Sequence, residues 1–443
     1  APVARATALP RDSSLQALVD ARVAAGANPA VAALRITPAG VEIAFAGDPK
    51  SPDGRPLGPR TLFEIGSITK AVTGTLFADA IRRGEVTEEE RLVQVFPGLP
   101  LPAGGDSITL LDLATHHSGL ESMPSRYVPP DSTEPYAAFD SVALVASWAA
   151  TPLRFAPGKR FEYSNIGAAM LGQAIVTRAR VRDYETLVRT RFARPLGLRD
   201  FGYRLSPEQR RRLATGHNRL GVPVKHLRLT YLAPAGAIVS SLADMRRLAE
   251  ACLGHGQAEV VAAVTEAQRP RRRASATQRV GLHWISQPRP DSAAIRWHNG
   301  ATLGFTAYLG CNRTTGRAAV VLTNSEVDAD DLGRHLVDPR LPLRPMRPPA
   351  LTSAGAVDTV AMDGLVGRYE LSPTFVITVL RAGTRLVAQA TGQGPLRLVE
   401  ESADRWAVAD VEARLEFERD ATGRVAAVVL VQNGLRQRAV RAP

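Results

Sequence analysis

Prolines at 339, 342, 345, 348 and 349 crowd the stretch from Asp338 to Ala350. Proline fixes its own φ and lacks a backbone N–H, so neither a helix nor an interior strand runs through such a stretch. It reads as a stiff, extended connector. The residue pattern differs on its two sides. The 443-residue chain is therefore predicted to have three parts: a large domain over 1–337, a connector over 338–358 and a small domain over 359–443.

In the large part, residues 14–25 put Leu15, Leu18 and Val19 on one helical face. Val31–Thr37 and Val41–Ala46 are apolar runs around Pro38-Ala39-Gly40, the pattern of a strand pair about a turn. Ile68, Val72, Leu76 and Ala80 recur at helical spacing as far as Arg83, and Gly84 ends that helix. Residues 107–265 are helix-rich with proline- and glycine-rich connections. Strand character returns at Arg279–Trp284, Ile295–His298, Gly304–Cys311 and Ala318–Thr323. Strands at both ends enclosing a helical middle predict an α/β layer with an inserted helical subdomain. Beyond the connector come short runs: Phe375–Leu380, Arg385–Ala390, Leu415–Glu418 and Val425–Gln432. Turn signals at Ala382-Gly383, Thr391-Gly392, Asp420 to Gly423 and Asn433-Gly434 divide them. This predicts an antiparallel β-sandwich or barrel without a catalytic constellation.

Composition narrows the function classes. The net charge is +12, yet only Lys50, Lys70, Lys159 and Lys225 are lysines; the other cations are arginines. The charges are scattered, with no basic stripe interleaved with aromatics, so a nucleic-acid partner is disfavoured. Genome composition accounts for the arginines most simply, and attraction of anionic polymers or lipid is the sharper reading. No apolar run is long enough for a membrane span. A chain beginning at Ala1 fits a mature periplasmic or secreted protein without its signal peptide, and equally a trimmed one. Cys252 and Cys311 are too few for a disulfide framework or a zinc site. One bridge between them is left open, although the apolar run around Cys311 favours a buried thiol. Gly-x-Ser-x-Gly, Walker and His-Glu-x-x-His patterns are absent.

Three stretches carry candidate chemistry. In Phe63-Glu64-Ile65-Gly66-Ser67-Ile68-Thr69-Lys70, a strand-like run gives way to a helix. Residues at i and i+3 share a helical face, so Lys70 lies beside Ser67. A serine hydroxyl needs a base to become a nucleophile, and a lysine can be one where arginine cannot. By itself this pair is equally well a helix cap and a surface cation. In Glu162-Tyr163-Ser164-Asn165, Tyr163 and Asn165 point the same way if the segment is extended. A tyrosine near a cation can shuttle a proton, and an asparagine amide can orient a carbonyl. In Trp297-His298-Asn299-Gly300-Ala301, Gly300 permits close backbone approach on a strand. His298 there can bind an anion or move a proton.

Taken together, Ser67-x-x-Lys70, Tyr163-x-Asn165 and His298-x-Gly300 resemble the active-site triplet of the serine beta-lactamase-like, penicillin-binding-protein superfamily. That family includes class C beta-lactamases, D-Ala-D-Ala peptidases, D-aminopeptidases and esterases. Ile108 to Leu120, Arg194-Pro195-Leu196-Gly197-Leu198, Ala233-Pro234-Ala235-Gly236 and Val280-Gly281-Leu282-His283-Trp284 are similar too, so the likeness covers residues 14–327. His116 and His117 fall in a structural segment by this likeness, not in a metal pair. Val366 to Glu370, Ala388 to Gln393 and Gln432-Asn433-Gly434 resemble a small lipocalin-like barrel appended to some of these hydrolases.

The resemblance implies an α/β fold, an antiparallel sheet flanked by helices with a helical subdomain, followed by that barrel. It implies an acyl-enzyme on Ser67, with Lys70 and Tyr163 moving the proton and the base unassigned between them. Asn165, His298 and Gly300 would contact substrate, and the N–H groups of Ser67 and Ala301 would form the oxyanion hole. No metal or cofactor is implied, and the partner is a small molecule or peptide, with cell-wall fragments among the candidates. One departure matters: the family usually has Lys-Thr-Gly where this chain has His298-Asn299-Gly300. A histidine of ordinary pKa near 6.5 is mostly neutral at pH 7. That disfavours strong beta-lactamase activity and favours a peptidase on D-amino-acid-containing or other small peptide amides. A carboxylate-bearing substrate would then be processed better at mildly acidic pH. An esterase or weak beta-lactamase, and a non-catalytic penicillin-binding or scaffold protein, are the alternatives.

Overall fold

A computed structural model describes residues 14–344 and 359–442, apart from 27, 125–126, 128–129, 131–133, 149–150, 220, 292, 373–374, 383–384, 391–395, 409–412 and 433–434. The chain divides into two compact units.

The first unit is an α/β layer. Helix α1 (Leu15–Ala24) precedes strands β1 (Ala30–Thr37) and β2 (Gly40–Gly47), which form the expected hairpin. Short β3 (Leu62–Glu64) leads into α2 (Ile68–Arg82). The helical middle includes α3 (Leu110–Ala114), α4 (Asn165–Arg178) and α5 (Ala233–Gly236), followed by β4 (Val239–Ser241), α6 (Leu242–Leu253) and α7 (Ala258–Ala267). Strands β5 (Arg272–Arg273), β6 (Arg279–Val280), β7 (Ile285–Gln287), β8 (Ile295–Ala301), β9 (Thr306–Asn312) and β10 (Arg317–Thr323) complete the sheet, and α8 (Asp330–Val337) follows. The sheet order is β2-β1-β10-β9-β8-β7-β6-β5, antiparallel throughout. The amino-terminal hairpin thus pairs with the last strand of the unit, as strands at both ends of the sequence pattern require.

Alternation along the central strands makes two cores. Leu34, Leu309, Val320 and Leu322 join the cluster on the face of α2, α4 and α6. Val31, Ala33, Tyr308, Ala319 and Val321 face the other way, onto Leu15, Leu18 and Val19 of α1 and Leu332 and Leu336 of α8. Period-2 side-chain alternation is the direct cause. Leu341 and Leu343, expected in the connector, pack on this second cluster; residues 345–358 lie outside the described residues. Cys252 and Cys311 are buried free thiols, not a bridge.

One expected strand is not continuous. Arg279–Trp284 breaks after Val280, because Gly281 donates to the Trp284 carbonyl at 2.8 Å and closes a turn. His283 occupies that turn with φ +57.

The second unit is a closed eight-stranded antiparallel barrel built from Gly367–Ser372, Phe375–Ala382, Arg385–Ala390, Leu396–Ser402, Arg405–Val408, Ala413–Arg419, Val425–Gln432 and Leu435–Arg441. Side chains such as Tyr369, Val379, Leu386, Trp406, Leu415 and Val428 fill its interior. Closure removes the free edges that an open sheet would expose. The turns expected at Gly383, Thr391-Gly392 and Asn433-Gly434 lie outside the described residues.

Helix α2 is buried along most of its length and touches the 281–284 turn at Gly74, where an added Cβ would overlap the Leu282 carbonyl. Gly→Ala inside an unhindered helix stabilises by about 1 kcal/mol. Overlap with backbone reverses the sign here, so Gly74→Ala is expected to cost about 1–3 kcal/mol. Thermal melting checks this; a raised melting temperature would contradict the packing described.

Candidate active site

The backbone reverses at Gly66, φ +49, between β3 and α2. A side chain there would press on Ala301, and one at Gly300 would overlap the Ile65 carbonyl and approach Ser67 N to 2.9 Å. The two glycines let the start of α2 lie against the end of β8, with Ala301 N facing Gly66 and Ser67 N facing Gly300. Ser67 is the N-cap residue of α2, yet its hydroxyl makes no capping bond. It lies 2.9 Å from Lys70 Nζ.

Lys70 is fully buried. Its Nζ donates to the Ala235 carbonyl at 2.6 Å and stands 4.8 Å from the centre of the Tyr163 ring. Among the described residues it has no carboxylate partner within ion-pair distance, and burial alone drives the amine well below its usual value. An unpaired buried ammonium is costly, so the amine form is favoured. The segment around Ala235 is stitched to α2: Thr73 Oγ1 donates to the Pro234 carbonyl at 2.7 Å and Ile238 N donates to Thr69 Oγ1 at 3.1 Å. Pairing of β3 with β4 fixes the same contact from the other side.

Tyr163 reaches the site from the loop before α4, its ring lying 4.8 Å from Lys70 Nζ and 6.3 Å from the His298 ring. Burial raises the phenol above its usual range, against a smaller lowering effect from Ser67. Ser164 caps α4, accepting from Gly167 N at 2.9 Å and donating to the Glu121 carbonyl at 2.7 Å. This cap orients the residues on either side of it. Asn165 Nδ2 lies 3.1 Å from the Met123 sulfur, and no hydrogen bond joins it to Lys70.

His298, on β8 opposite Leu309, is buried. Its Nδ1 is 2.6 Å from the Asn299 carbonyl, and its ring centre is 6.3 Å from that of Tyr163. Burial first, and Lys70 second, push the imidazole down to about 3. The expected cation at mildly acidic pH does not fit these surroundings. Ser67, Lys70, Tyr163, His298, Gly300 and Ala301 are therefore brought together. Asn165 sits one residue past the cap, tied to Met123.

Two histidines were missed as parts of this site. His116 does not continue α3; it sits beyond the helix at φ +59, and its ring stacks on Tyr163 with centres 4.5 Å apart. His283 lies against it, rings 4.6 Å apart. The only sequence signal was their place in the similar segments. Among the described residues no group of three or more His, Cys, Asp or Glu side chains could hold a metal, and no helix is long and apolar enough to cross a membrane.

Burial of Lys70 has a thermodynamic signature. Its folded-state value is depressed below the unfolded 10.4. Between those values the unfolded chain holds one more proton, so the stability contribution falls as pH drops through that window, by about 1.4 kcal/mol per unit. Relative to Lys70→Met, the wild type should therefore lose stability progressively from about pH 10 downward. Melting curves across pH check this, and a constant difference would contradict it.

Comparison with known proteins agrees with the geometry. The Beta-lactamase family profile matches residues 15–338. Penicillin-binding protein 4* of Bacillus subtilis (strain 168) is 24% identical over 410 residues, covering 87% of this chain and 89% of that one. Esterase EstB of Burkholderia gladioli is 31% identical over 183 residues, 39% of this chain and 46% of its own length. The D-alanyl-D-alanine-carboxypeptidase/endopeptidase AmpH of Escherichia coli (strain K12) is 31% identical over 156 residues, 34% of this chain and 40% of its own. In fold, the beta-lactamase/D-alanine carboxypeptidase from Pseudomonas syringae superposes with a TM-score of 0.64 at 21% identity, over 73% of this chain and 98% of that one. The class C beta-lactamase from Rhodobacter sphaeroides gives 0.61 at 23% identity, over 71% and 97%. With a profile spanning the whole α/β unit, the chain belongs to the beta-lactamase family.

Proposed function

We propose that the protein is a serine hydrolase working through an acyl-enzyme on Ser67, acting on small peptide amides, D-amino-acid-containing peptides among them. One observation carries the reading: a fully buried lysine, without a carboxylate partner, 2.9 Å from a serine hydroxyl that caps nothing. Lys70 is the resting base, because its surroundings favour the amine. Tyr163 is the resting acid, because its surroundings favour the phenol.

The steps follow from that assignment. The Ser67 hydroxyl proton passes to Lys70 Nζ as Oγ bonds the substrate carbonyl carbon. The oxyanion is held by the N–H groups of Ser67 and Ala301. The proton returns through the Tyr163 hydroxyl to the leaving nitrogen, and the carbon–nitrogen bond breaks. Water then attacks the ester on Ser67, giving its proton to Lys70 and restoring the hydroxyl. Asn165, from the mouth of α4, orients the substrate.

His298 bears on the substrate. A neutral, enclosed imidazole offers no cation to a substrate carboxylate. Amides and esters without a carboxylate at that position are favoured over beta-lactams, and the partial likeness to an esterase makes ester hydrolysis the second reading. The protein is expected to work as a periplasmic or secreted enzyme, with the barrel as an accessory.

Ser67→Ala should abolish both turnover and labelling by a fluorophosphonate. Nitrocefin, a p-nitrophenyl ester and D-Ala-containing peptide amides, assayed side by side with intact-mass detection, should show the peptide or ester favoured over nitrocefin. Labelling retained in Ser67→Ala overturns the nucleophile. A wild type inert to every acylating probe favours a non-catalytic protein.

A further inference from the structure

His116 and His283 stand behind the reacting groups, and none of the steps above uses them. They come from opposite parts of the sheet unit, the end of α3 and the turn between β6 and β7. They are 1% and 0% exposed. Both adopt a left-handed φ, +59 and +57, a conformation costly for a residue with a side chain and retained where the surroundings impose it. His283 N donates to the Ala114 carbonyl at 2.7 Å. Its Cβ packs beside Gly74, one helical turn beyond Lys70 on α2.

Hydrogen bonds fix which nitrogen carries each proton. Ser164 N donates to His116 Nδ1 at 3.1 Å. A neutral imidazole has one donor and one acceptor nitrogen, so the His116 proton is on Nε2. That nitrogen is 3.2 Å from His283 Nδ1, which must accept. The His283 proton is therefore on Nε2, which is buried and, among the described residues, without a partner. His298 is wired the opposite way: Nδ1 donates to the Asn299 carbonyl, leaving a buried Nε2 lone pair that is unpartnered among the described residues. A charge on His116 or His283 would need a proton on a nitrogen already accepting a bond. Burial, the neighbouring imidazoles and Lys70 disfavour that charge as well.

Among the described residues, the phenol ring of Tyr163 lies 4.8 Å from the Lys70 amine, and the neutral rings of His116, His283 and His298 interact with it electrostatically. We propose that His116 and His283 are positioning residues: His116 seats the ring of Tyr163, while His283, its tautomer set through His116 by the Ser164 amide, keeps water and a second cation from Lys70. The proposal rests on the reading of Ser67 and Lys70 as nucleophile and base.

The rate of Ser67 acylation by a fluorophosphonate, followed across pH by intact mass in the full chain, tests it. In the wild type the rate should fall on the acid side as Lys70 gains its proton. His283→Gly admits water beside the amine and should move that fall to higher pH by about one unit, a loss of about tenfold below the midpoint. The alkaline plateau should hold within about twofold. His283→Asn, which tolerates the left-handed backbone and keeps an N–H donor, should restore most of the wild-type profile. A uniform loss at an unmoved midpoint, or no change, overturns the proposal. A wild type unlabelled at every pH defeats the hydrolase reading instead, and imidazole nitrogen NMR of the wild type then decides the pair separately. Both rings should be neutral with the proton on Nε2; a charged ring or an Nδ1 proton on His283 overturns it.

Discussion

A single unpaired amine, sealed in the core against a serine hydroxyl, is what the surrounding structure is arranged around. Folding a lysine into a site without a carboxylate costs desolvation that no ion pair offsets. The arrangement persists because the segment holding Ala235 is bonded to α2 at Thr69, Lys70 and Thr73. The glycines at 66 and 300 bring β8 against the start of that helix. Every other cation in the chain but three lysines is an arginine, which could not give up its proton at this position. The protonation of this amine is thus set by packing: removing water does what a neighbouring charge would do elsewhere.

The contact between Ser67 and Lys70 was legible because its signal is local. A serine and a lysine three apart at the start of a helix must share a face, wherever that helix sits. The hairpin at 30–47 and the alternating strands at 306–323 were legible because burial on two faces leaves a plain pattern. His283 was not, since Val280 to Trp284 reads as continued strand and only the Gly281–Trp284 bond shows the turn. His116 was hidden for a related reason. Two adjacent histidines after a helix say nothing of a tyrosine forty-seven residues away. Long-range ring contacts leave no periodicity, and a left-handed backbone at a residue other than glycine has no local signal.

His298 shows how burial alters the meaning of a substitution. On sequence, histidine in place of lysine looks like a cation that can be switched on by mild acid. In the fold it is enclosed and placed beside Lys70, and these two oppose a charge more strongly than its Nδ1 bond to the neighbouring carbonyl favours one. The residue therefore offers no cation at that position, and this is why the proposed substrates are ones that do not require one. The barrel is filled by its own side chains.

The amine itself can be observed. With only Lys50, Lys70, Lys159 and Lys225 in the chain, carbon-13 labelling at lysine Cε gives four signals to follow by NMR as pH is raised. The account predicts one signal that titrates well below the ordinary lysine value near 10.4 and vanishes in Lys70→Met. Four signals titrating together near that ordinary value would contradict it.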